Sequence, residues 1–323
     1  MDTSDVSKNR KHEQMKKVTL NTEWLSVCGG CHVAIVDLHE KILDVLGAVD
    51  VLHSPVLTDI KDYPEADVGI VTGAIRNEHD RHNAIQMRKS CNLIIAFGTC
   101  AVYGGIPGAG AVHSTDDLLR TAYTANKTTH TTHIPVERID RLSTRVTPLD
   151  EVIDVDLYLP GCPPHANFIF EALTSLVQGK TPRTADRNVC AGCRRKMVRQ
   201  QVTEIKNPLR EFPDTDICLM CQGYICLGSV TLDRCLSPCP NTGISCTGCA
   251  GPSTRILREP NRDIRTEVAT RMSRLTDIPQ EEIVRAIERG AKNYYSYAMA
   301  SRMIGHKPTF LIKKWIADVE ETV

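Results

Sequence analysis

Cysteine is the residue type in this sequence with the clearest capacity for chemistry. Fourteen thiols occur in 323 residues, and most of them lie in short, spaced groups. That share is lower than in small disulfide scaffolds, and the chain is much longer than such scaffolds usually are. Grouped thiols in a reducing compartment indicate metal ligation. The composition therefore predicts iron-sulfur clusters that pass electrons, rather than disulfides.

Thiols in the first half of the chain follow predicted strands. Cys28 and Cys31 enclose two glycines after the first strand, while Cys100 and Cys162 each follow a later one. The carboxyl ends of parallel strands meet at one edge of a sheet, where ligands bind, so these thiols can converge on one site. A lone pair with this spacing would fit a redox pair or half of a zinc site. Four dispersed thiolates favour a 4Fe-4S cube.

The second half of the chain contains a denser group, with nine cysteines in residues 188–251. A cube takes about four thiolates, so nine are one more than two cubes require. One grouping takes Cys235, Cys239, Cys246 and Cys249 together, and Cys190, Cys193, Cys218 and Cys226 together. That grouping leaves Cys221 over, but exchanging it for Cys226 or Cys218 fits the spacing equally well. Two structural zinc ions also fit these counts.

The elements that must position these thiols alternate between strand and helix from about residue 17 to residue 179. The predicted strands are 18–24, 49–57, 68–72, 93–97 and 156–159, and the predicted helices are 32–46, 77–89 and 168–177. Continuous apolar runs are typical of strands that are buried on both faces of a parallel sheet. The pattern predicts a doubly wound α/β domain with an irregular insertion at residues 104–148.

The rest of the chain divides into regions of different character. Residues 188–251 are rich in Gly and Pro and show little periodicity, so we expect metal ligation to organise them. Helices are predicted at 277–291 and 294–304, packed on the cysteine-rich region or on a partner. The expected organisation is a disordered tail (1–17), an α/β domain (18–185), a two-cluster domain (186–260) and a helical extension (261–323).

Charge and hydropathy exclude several classes of partner. Lys and Arg total 39 and so do Asp and Glu, which gives no net field for nucleic acid or an anionic membrane. The polar first residues lack the apolar core of a secretory signal, and no run of about eighteen apolar residues predicts a membrane anchor. A cytoplasmic location is expected.

Three motifs resemble the small subunit of nickel-iron hydrogenases, over about residues 18–252. They are Cys28-Gly29-Gly30-Cys31, Gly98-Thr99-Cys100 and Pro160-Gly161-Cys162-Pro163-Pro164, in this order and before a cysteine-rich segment. Within that family, Cys218-Leu219-Met220, Gln222-Gly223-Tyr224-Ile225-Cys226 and Cys246-Thr247-Gly248-Cys249 are most similar to the cytoplasmic methyl-viologen-reducing type. In methanogens and their relatives, that type works with heterodisulfide reductase.

The resemblance implies a flavodoxin-like first domain and three 4Fe-4S clusters. Cys190 stands where periplasmic members have a histidine, and Cys239 is an additional cysteine where they have a proline. The implied ligands are Cys28, Cys31, Cys100 and Cys162 (proximal), Cys235, Cys239, Cys246 and Cys249 (medial), and Cys190, Cys193, Cys218 and Cys226 (distal). The implied partners are a nickel-iron large subunit and a further heterodisulfide-reductase-linked iron-sulfur or flavin protein.

Some residues depart from the pattern of this family. Val33 stands where related enzymes often have a glutamate, and Cys221 stands where they have a non-ligating residue. Cys91 is predicted to be a buried structural thiol, and Asp59 fits a surface turn better than a position at the proximal cluster. Two alternatives are an iron-sulfur subunit of a quinone oxidoreductase of the complex I type and a zinc-organised interaction module. The complex I type normally has adjacent cysteines in its first loop and no later cluster domain.

Overall fold

The computed structural model describes residues 17–129, 131, 133–182 and 186–305. Apart from Lys17, the predicted tail lies outside the described residues, and so does the end of the predicted helical extension after residue 305. Within the described ranges, no helix is both long enough and apolar enough to span a lipid bilayer.

Seven strands, thirteen α-helices and five short 3-10 helices occur in the described residues. The strands are β1 (Val18–Trp24), β2 (Val49–His53), β3 (Ala66–Thr72), β4 (Ile75–Asn77), β5 (Cys91–Phe97), β6 (Leu142–Thr147) and β7 (Leu157–Leu159). The helices are α1 (Gly30–Val36), α2 (Lys41–Ala48), α3 (Glu78–Ser90), α4 (Thr99–Tyr103), α5 (Gly105–Gly108), α6 (Thr115–Tyr123), α7 (Ala166–Val177), α8 (Pro238–Asn241), α9 (Thr254–Arg258), α10 (Ile264–Leu275), α11 (Gln280–Arg289), α12 (Ala291–Tyr294) and α13 (Arg302–Gly305).

Five parallel strands form the central sheet in the order β2-β1-β3-β5-β7. Side chains alternate between its two faces. Ile70 and Ile95 pack with α1, α2 and α7 on one face, whereas Val71 and Ile94 pack with α3 on the other. The central strands are therefore buried on both sides, and the predicted α/β fold with a doubly wound parallel sheet is confirmed.

Several predicted elements differ from those in the structure. The single helix predicted at 32–46 is wrong, because a turn with a left-handed residue, His39 (φ 53°), separates α1 from α2. Periodicity does not detect so short an interruption. The second strand ends at His53 rather than at residue 57, just before Pro55, which has no N–H to donate. Residues 104–148 are not wholly irregular, because they contain α5, α6 and β6, and β6 pairs with β4.

The region after residue 252 also differs from its prediction. The sequence reading missed α10, whose N-terminus is capped by the Asp263 carboxylate, which accepts the N–H of Thr266 at 3.1 Å. A continuous helix over residues 294–304 is wrong, since only the short α12 and α13 form at its two ends.

A second hydrophobic core joins the cysteine-rich segment to the helices that follow it. Leu219, Met220 and Tyr224 are almost fully buried against Met272 of α10 and Ile283 of α11. The helices therefore pack on the cysteine-rich region, which was one of the two expectations. The division of the chain at residue 260 stays a prediction, and the shared core spans it.

Gly98, directly after β5, provides a test of the sheet edge. Its backbone is left-handed (φ +85°), and a Cβ added there would overlap the Cys31 sulfur. We expect Gly98→Ala to lower the free energy of unfolding by about 1–3 kcal/mol, measured by thermal unfolding of the purified protein.

Gly47 is the matched control for this substitution. It lies in α2, and a Cβ there would meet no atom within 4 Å. Gly47→Ala should leave stability unchanged or raise it by about 0.5–1 kcal/mol. Equal thermal stability of the two variants would contradict the close packing at Gly98.

Candidate iron-sulfur sites

The proximal set (Cys28, Cys31, Cys100 and Cys162) lies at the carboxyl edge of the parallel sheet. Its members follow β1, β5 and β7 or lie in α1, which begins directly after the loop from β1. Two hydrogen bonds of 2.8 Å, from the N–H of Gly98 to the Leu159 carbonyl and from the N–H of Thr99 to the Gly161 carbonyl, place the last two loops side by side. The fold thus brings together thiols that are far apart in sequence.

Electrostatic interactions among these thiols show that they are neighbours. Burial, together with the neighbouring thiolates of Cys100, Cys162 and Cys28, raises the pKa of Cys31 to about 12. Burial likewise raises the pKa of Cys100 to about 11, with Cys162 and Cys28 among the contributing charges. Each charge opposes ionisation of the others. A bound cation would favour the thiolate forms of Cys31, Cys100 and Cys162.

Glycines leave the space around these sulfurs. Gly98 has no Cβ, which leaves room for the Cys31 sulfur. A Cβ on Gly105 would lie only 2.6 Å from the Cys100 sulfur. The N–H of Gly30 points to the Cys28 sulfur at 3.5 Å. The backbone therefore approaches the thiols more closely than other residue types allow.

A polar network fixes the loop that carries Cys28. The Ser26 hydroxyl donates to the Asp80 carboxylate at 2.7 Å, and the N–H of Arg76 donates to the same oxygen at 2.9 Å. Asn77 caps α3 by accepting the N–H of Asp80 at 2.7 Å. The sequence reading missed this support, because no local pattern links Ser26 with a helix more than fifty residues later.

The distal set (Cys190, Cys193, Cys218 and Cys226) lines a single small cavity, which Arg195, Leu219, Met220 and Pro240 also border. Burial raises the pKa of Cys190 to about 12, with Cys226, Cys218 and Cys193 contributing. Cys221 is not among the lining residues of this cavity. It is fully buried beside Cys218, and burial raises its pKa to about 11. The thiols that line this cavity are those of the grouping without Cys221, and the assignment of ligands stays a prediction.

In the medial set, Cys235 precedes α8, Cys239 lies in it, and Cys246 and Cys249 follow it. Burial, together with the neighbouring charges of Cys235, Cys162 and Cys239, raises the pKa of Cys249 to about 12. Burial also raises the pKa of Cys246, with contributions from Cys226 and Cys249. The medial thiols therefore interact electrostatically with one another. They also interact with Cys162 of the proximal set and with Cys226 of the distal set.

Two hydrogen bonds connect the sets in space. The Thr99 hydroxyl donates to the Cys249 carbonyl at 2.6 Å, which joins the proximal and medial segments. The N–H of Cys246 donates to the Cys226 sulfur at 3.3 Å, which joins the medial and distal segments. The medial set therefore lies between the other two, although it comes last in the sequence.

The donor sets fit iron-sulfur clusters by their chemistry. Each set contains thiols alone, the ligand type that such clusters prefer. As the described side chains stand, no group of three or more His, Cys, Asp or Glu could hold one metal ion. A 4Fe-4S cluster needs its four thiolates further apart than a single metal ion does, because each thiolate binds a different iron atom.

The remaining sequence candidates take other positions. Cys91 is buried at the start of β5, 3.6 Å from the amide nitrogen of Asn21, in agreement with a structural thiol. Asp59 and Val33 are exposed. The sequence reading missed Arg234, which is only 3% exposed, lies over the Phe168 ring and immediately precedes a medial thiol. Its position directly before Cys235 was the signal in the sequence that could have identified it as a neighbour of the medial set.

Comparisons with known proteins agree with this arrangement. A family profile described as "NADH ubiquinone oxidoreductase, 20 Kd subunit" matches residues 28–176. A solved structure of the NAD+-reducing nickel-iron hydrogenase in the H2-reduced state matches with a TM-score of 0.51 and 31% identity, covering 53% of this chain and 96% of that one.

Two curated relatives align along most of the chain, and both are G subunits of F420-non-reducing hydrogenases. The one from Methanothermobacter thermautotrophicus is 36% identical over 90% of this chain and 97% of its own length. The one from Archaeoglobus profundus, which is described as an iron-sulfur protein, is 32% identical over 87% of this chain and 95% of its own. The chain therefore belongs to the family of hydrogenase small subunits that includes these two proteins.

Proposed function

We propose that this chain conducts electrons between the H2-splitting site of a nickel-iron large subunit and a downstream redox partner. The conductor would be three 4Fe-4S clusters, each held by one of the proximal, medial and distal sets. A bound cluster supplies one-electron chemistry. The observation that carries the proposal is the end-to-end order of the three sets, linked by the hydrogen bonds of Thr99 and Cys246.

Burial explains why the thiols need iron. A thiolate in a low-dielectric interior is unfavourable, and neighbouring thiolates add repulsion, as at Cys31. Iron cations offset both effects, and the ligands lose their protons when the cluster assembles. Each set contains at least one buried thiol, namely Cys31 and Cys100, Cys226, and Cys246, and these thiols in particular are suited to a cationic metal core.

An exposed apolar surface beside the proximal set supports a large-subunit partner there. Val33 and Val36 of α1 are 57% and 65% exposed, and Leu43 of α2 is 69% exposed. Leu57, in the loop after β2, is 76% exposed. Large apolar side chains exposed near a functional site are typical of an interaction surface. Cys28 of the proximal set is itself exposed, so a partner covering this surface would shield the cluster from water.

A basic groove beside the distal set supports an acidic downstream partner. Arg271 interacts electrostatically with Cys190. The acidic residues Asp186 and Glu267 line this groove together with five arginines, namely Arg187, Arg255, Arg262, Arg271 and Arg274. Arg187 is ion-paired with Asp233, and Arg255 and Arg262 are ion-paired with Glu259. The positive charge of the groove therefore rests mainly on Arg271 and Arg274. Basic surfaces accelerate the docking of acidic proteins. An iron-sulfur or flavin protein with an acidic face would suit this position, in line with the heterodisulfide-reductase-linked partner implied by the resemblance.

A second candidate function rests on the family profile, which describes a subunit of NADH ubiquinone oxidoreductase. That match ends at residue 176, before the nine later cysteines. A chain with that role would use the proximal set alone. The later thiols therefore favour the hydrogenase role.

Metal content is the first test of the proposal. Three cubes predict roughly twelve iron and twelve acid-labile sulfide per chain, with a visible absorption that bleaches on addition of dithionite. Anaerobic isolation of the chain free of its iron-containing partner subunits, followed by iron, sulfide and zinc analysis, gives the result. About four iron per chain would favour the second candidate. Stoichiometric zinc without sulfide would exclude both.

The distal set is tested by two substitutions of neighbouring thiols. Cys226→Ser should remove one cluster, and the iron content should fall by about four per chain. Cys221→Ser is the matched control and should leave the iron content and the EPR spectrum of the reduced clusters unchanged, because Cys221 does not line the distal cavity. Loss of iron in Cys221→Ser, with retention in Cys226→Ser, would reverse the assignment.

The basic groove is tested by charge reversal. In the double variant Arg271→Glu with Arg274→Glu, the KM for the natural acceptor at low salt should rise by about tenfold, since electrostatic steering is lost. Reduction of methyl viologen with H2 should stay unchanged. Arg285→Glu with Arg289→Glu, on α11 and outside the groove lining, is the charge-matched control. An equal rise in both double variants would show a net-charge effect and contradict docking at the groove.

A further inference from the structure

Thr99 lies where the proximal and medial segments meet. It is 1% exposed, and it comes between Gly98 and Cys100 at the start of α4. We propose that Thr99 is a positioning residue for electron transfer between the proximal and medial clusters, and that it acts through the hydrogen bonds of its hydroxyl. This inference rests on the proposed function and deepens it.

The hydroxyl makes one hydrogen bond in each direction. It donates to the Cys249 carbonyl at 2.6 Å and accepts the N–H of Gly161 at 2.9 Å. The N–H of Thr99 also donates to the Gly161 carbonyl at 2.8 Å. A single side chain thus connects the segments of Cys100, Cys162 and Cys249. These contacts join two proximal ligands to one medial ligand.

The electrostatic interactions agree with this close approach. The charge of Cys162 is one of those felt at Cys249, although the two thiols belong to different sets. Electron transfer between two buried centres is faster through covalent and hydrogen bonds than through an open gap. The path from the Cys162 backbone through the Thr99 hydroxyl to the Cys249 carbonyl consists of such bonds throughout.

The step is a simple one-electron transfer. With both clusters bound, one electron would pass from the reduced proximal cluster to the oxidised medial cluster. No covalent bond forms or breaks, and the Thr99 hydroxyl keeps its proton. The residue therefore acts on the distance and the coupling between the two centres, and it is not a catalytic group.

The bridge from the medial to the distal set is built differently. It uses the main-chain N–H of Cys246 and the sulfur of Cys226, both of which belong to proposed ligand residues. Substitution there would disturb a ligand as well as the bridge. The proximal bridge depends on a side chain that is not a ligand, so Thr99 allows the coupling to be tested apart from cluster binding.

The test compares Thr99→Val, which keeps the shape and loses the hydroxyl, with Thr99→Ser, which keeps the hydroxyl. After rapid mixing of the complex with H2, freeze-quench EPR follows the appearance of the reduced medial cluster. We expect its rate to fall about tenfold or more in Thr99→Val and to recover in Thr99→Ser. H/D isotope exchange, which requires only the large-subunit site, should be unchanged.

Thr276 supplies a matched control. Its buried hydroxyl also donates to a carbonyl, that of Met272 at 2.9 Å, and accepts an N–H, that of Ile278 at 3.3 Å. It lies at the end of α10 and belongs to no cysteine loop. Thr276→Val should leave the reduction rate unchanged. An equal loss of rate in Thr276→Val would show a general packing effect and overturn the bridge.

The outcomes separate this inference from the proposed function. A wild-type chain with fewer than three clusters contradicts the proposed function itself. A wild-type rate in Thr99→Val, with all clusters present by iron analysis, contradicts only the bridge, and so does a slow Thr99→Ser. If Thr99→Val loses iron, Thr99→Ala takes its place in the same comparison, and an unchanged rate in that variant overturns the inference.

Discussion

The repulsion among thiolates in a water-poor interior is the constraint on which this structure depends. Thiolate charges at Cys28, Cys100 and Cys162 all oppose ionisation at Cys31, which is itself buried. Without a cation, the favourable state would be protonated thiols or a more open fold. The chain therefore has to hold four sulfurs close together before any sulfur–iron bond forms to stabilise the arrangement. Rigid backbone around each sulfur is what makes this possible.

The two halves of the chain provide that rigidity in different ways. In the first half, the parallel sheet fixes the loops, and close packing at Gly98 and Gly105 sets how near the sulfurs approach the backbone. The second half has little regular structure around its thiols. There, α10 and α11 supply buried side chains such as Met272 and Ile283 to a core shared with the cysteine-rich segment. The helices thereby stabilise loops that have little regular structure of their own.

Features that depend on local pattern were predictable from the sequence, and features that depend on contacts between distant segments were not. Apolar runs predicted the central strands, and the position of Cys100 and Cys162 after two of them predicted the shared sheet edge. The turn at His39 was missed because its left-handed backbone leaves no periodic signal. The bond from Ser26 to Asp80 was missed because it connects a loop to a remote helix. The exposure of Val36 also contradicts the usual reading of an apolar helix, since a partner surface and a core face have the same pattern.

The spatial order of the three cysteine sets differs from their order in the sequence. Because the medial set lies in the middle, the proximal and distal sets each lie beside a different surface of the protein. The medial segment comes last in the chain but contacts Thr99 on one side and Cys226 on the other. The exposed apolar surface lies beside the proximal set, and the basic groove lies beside the distal set. A chain that exchanged electrons at a single surface would need no such separation. Two chemically different surfaces at the two ends of a linked series are what the proposed conductor between two partners would require, because each partner would have to dock without competing with the other.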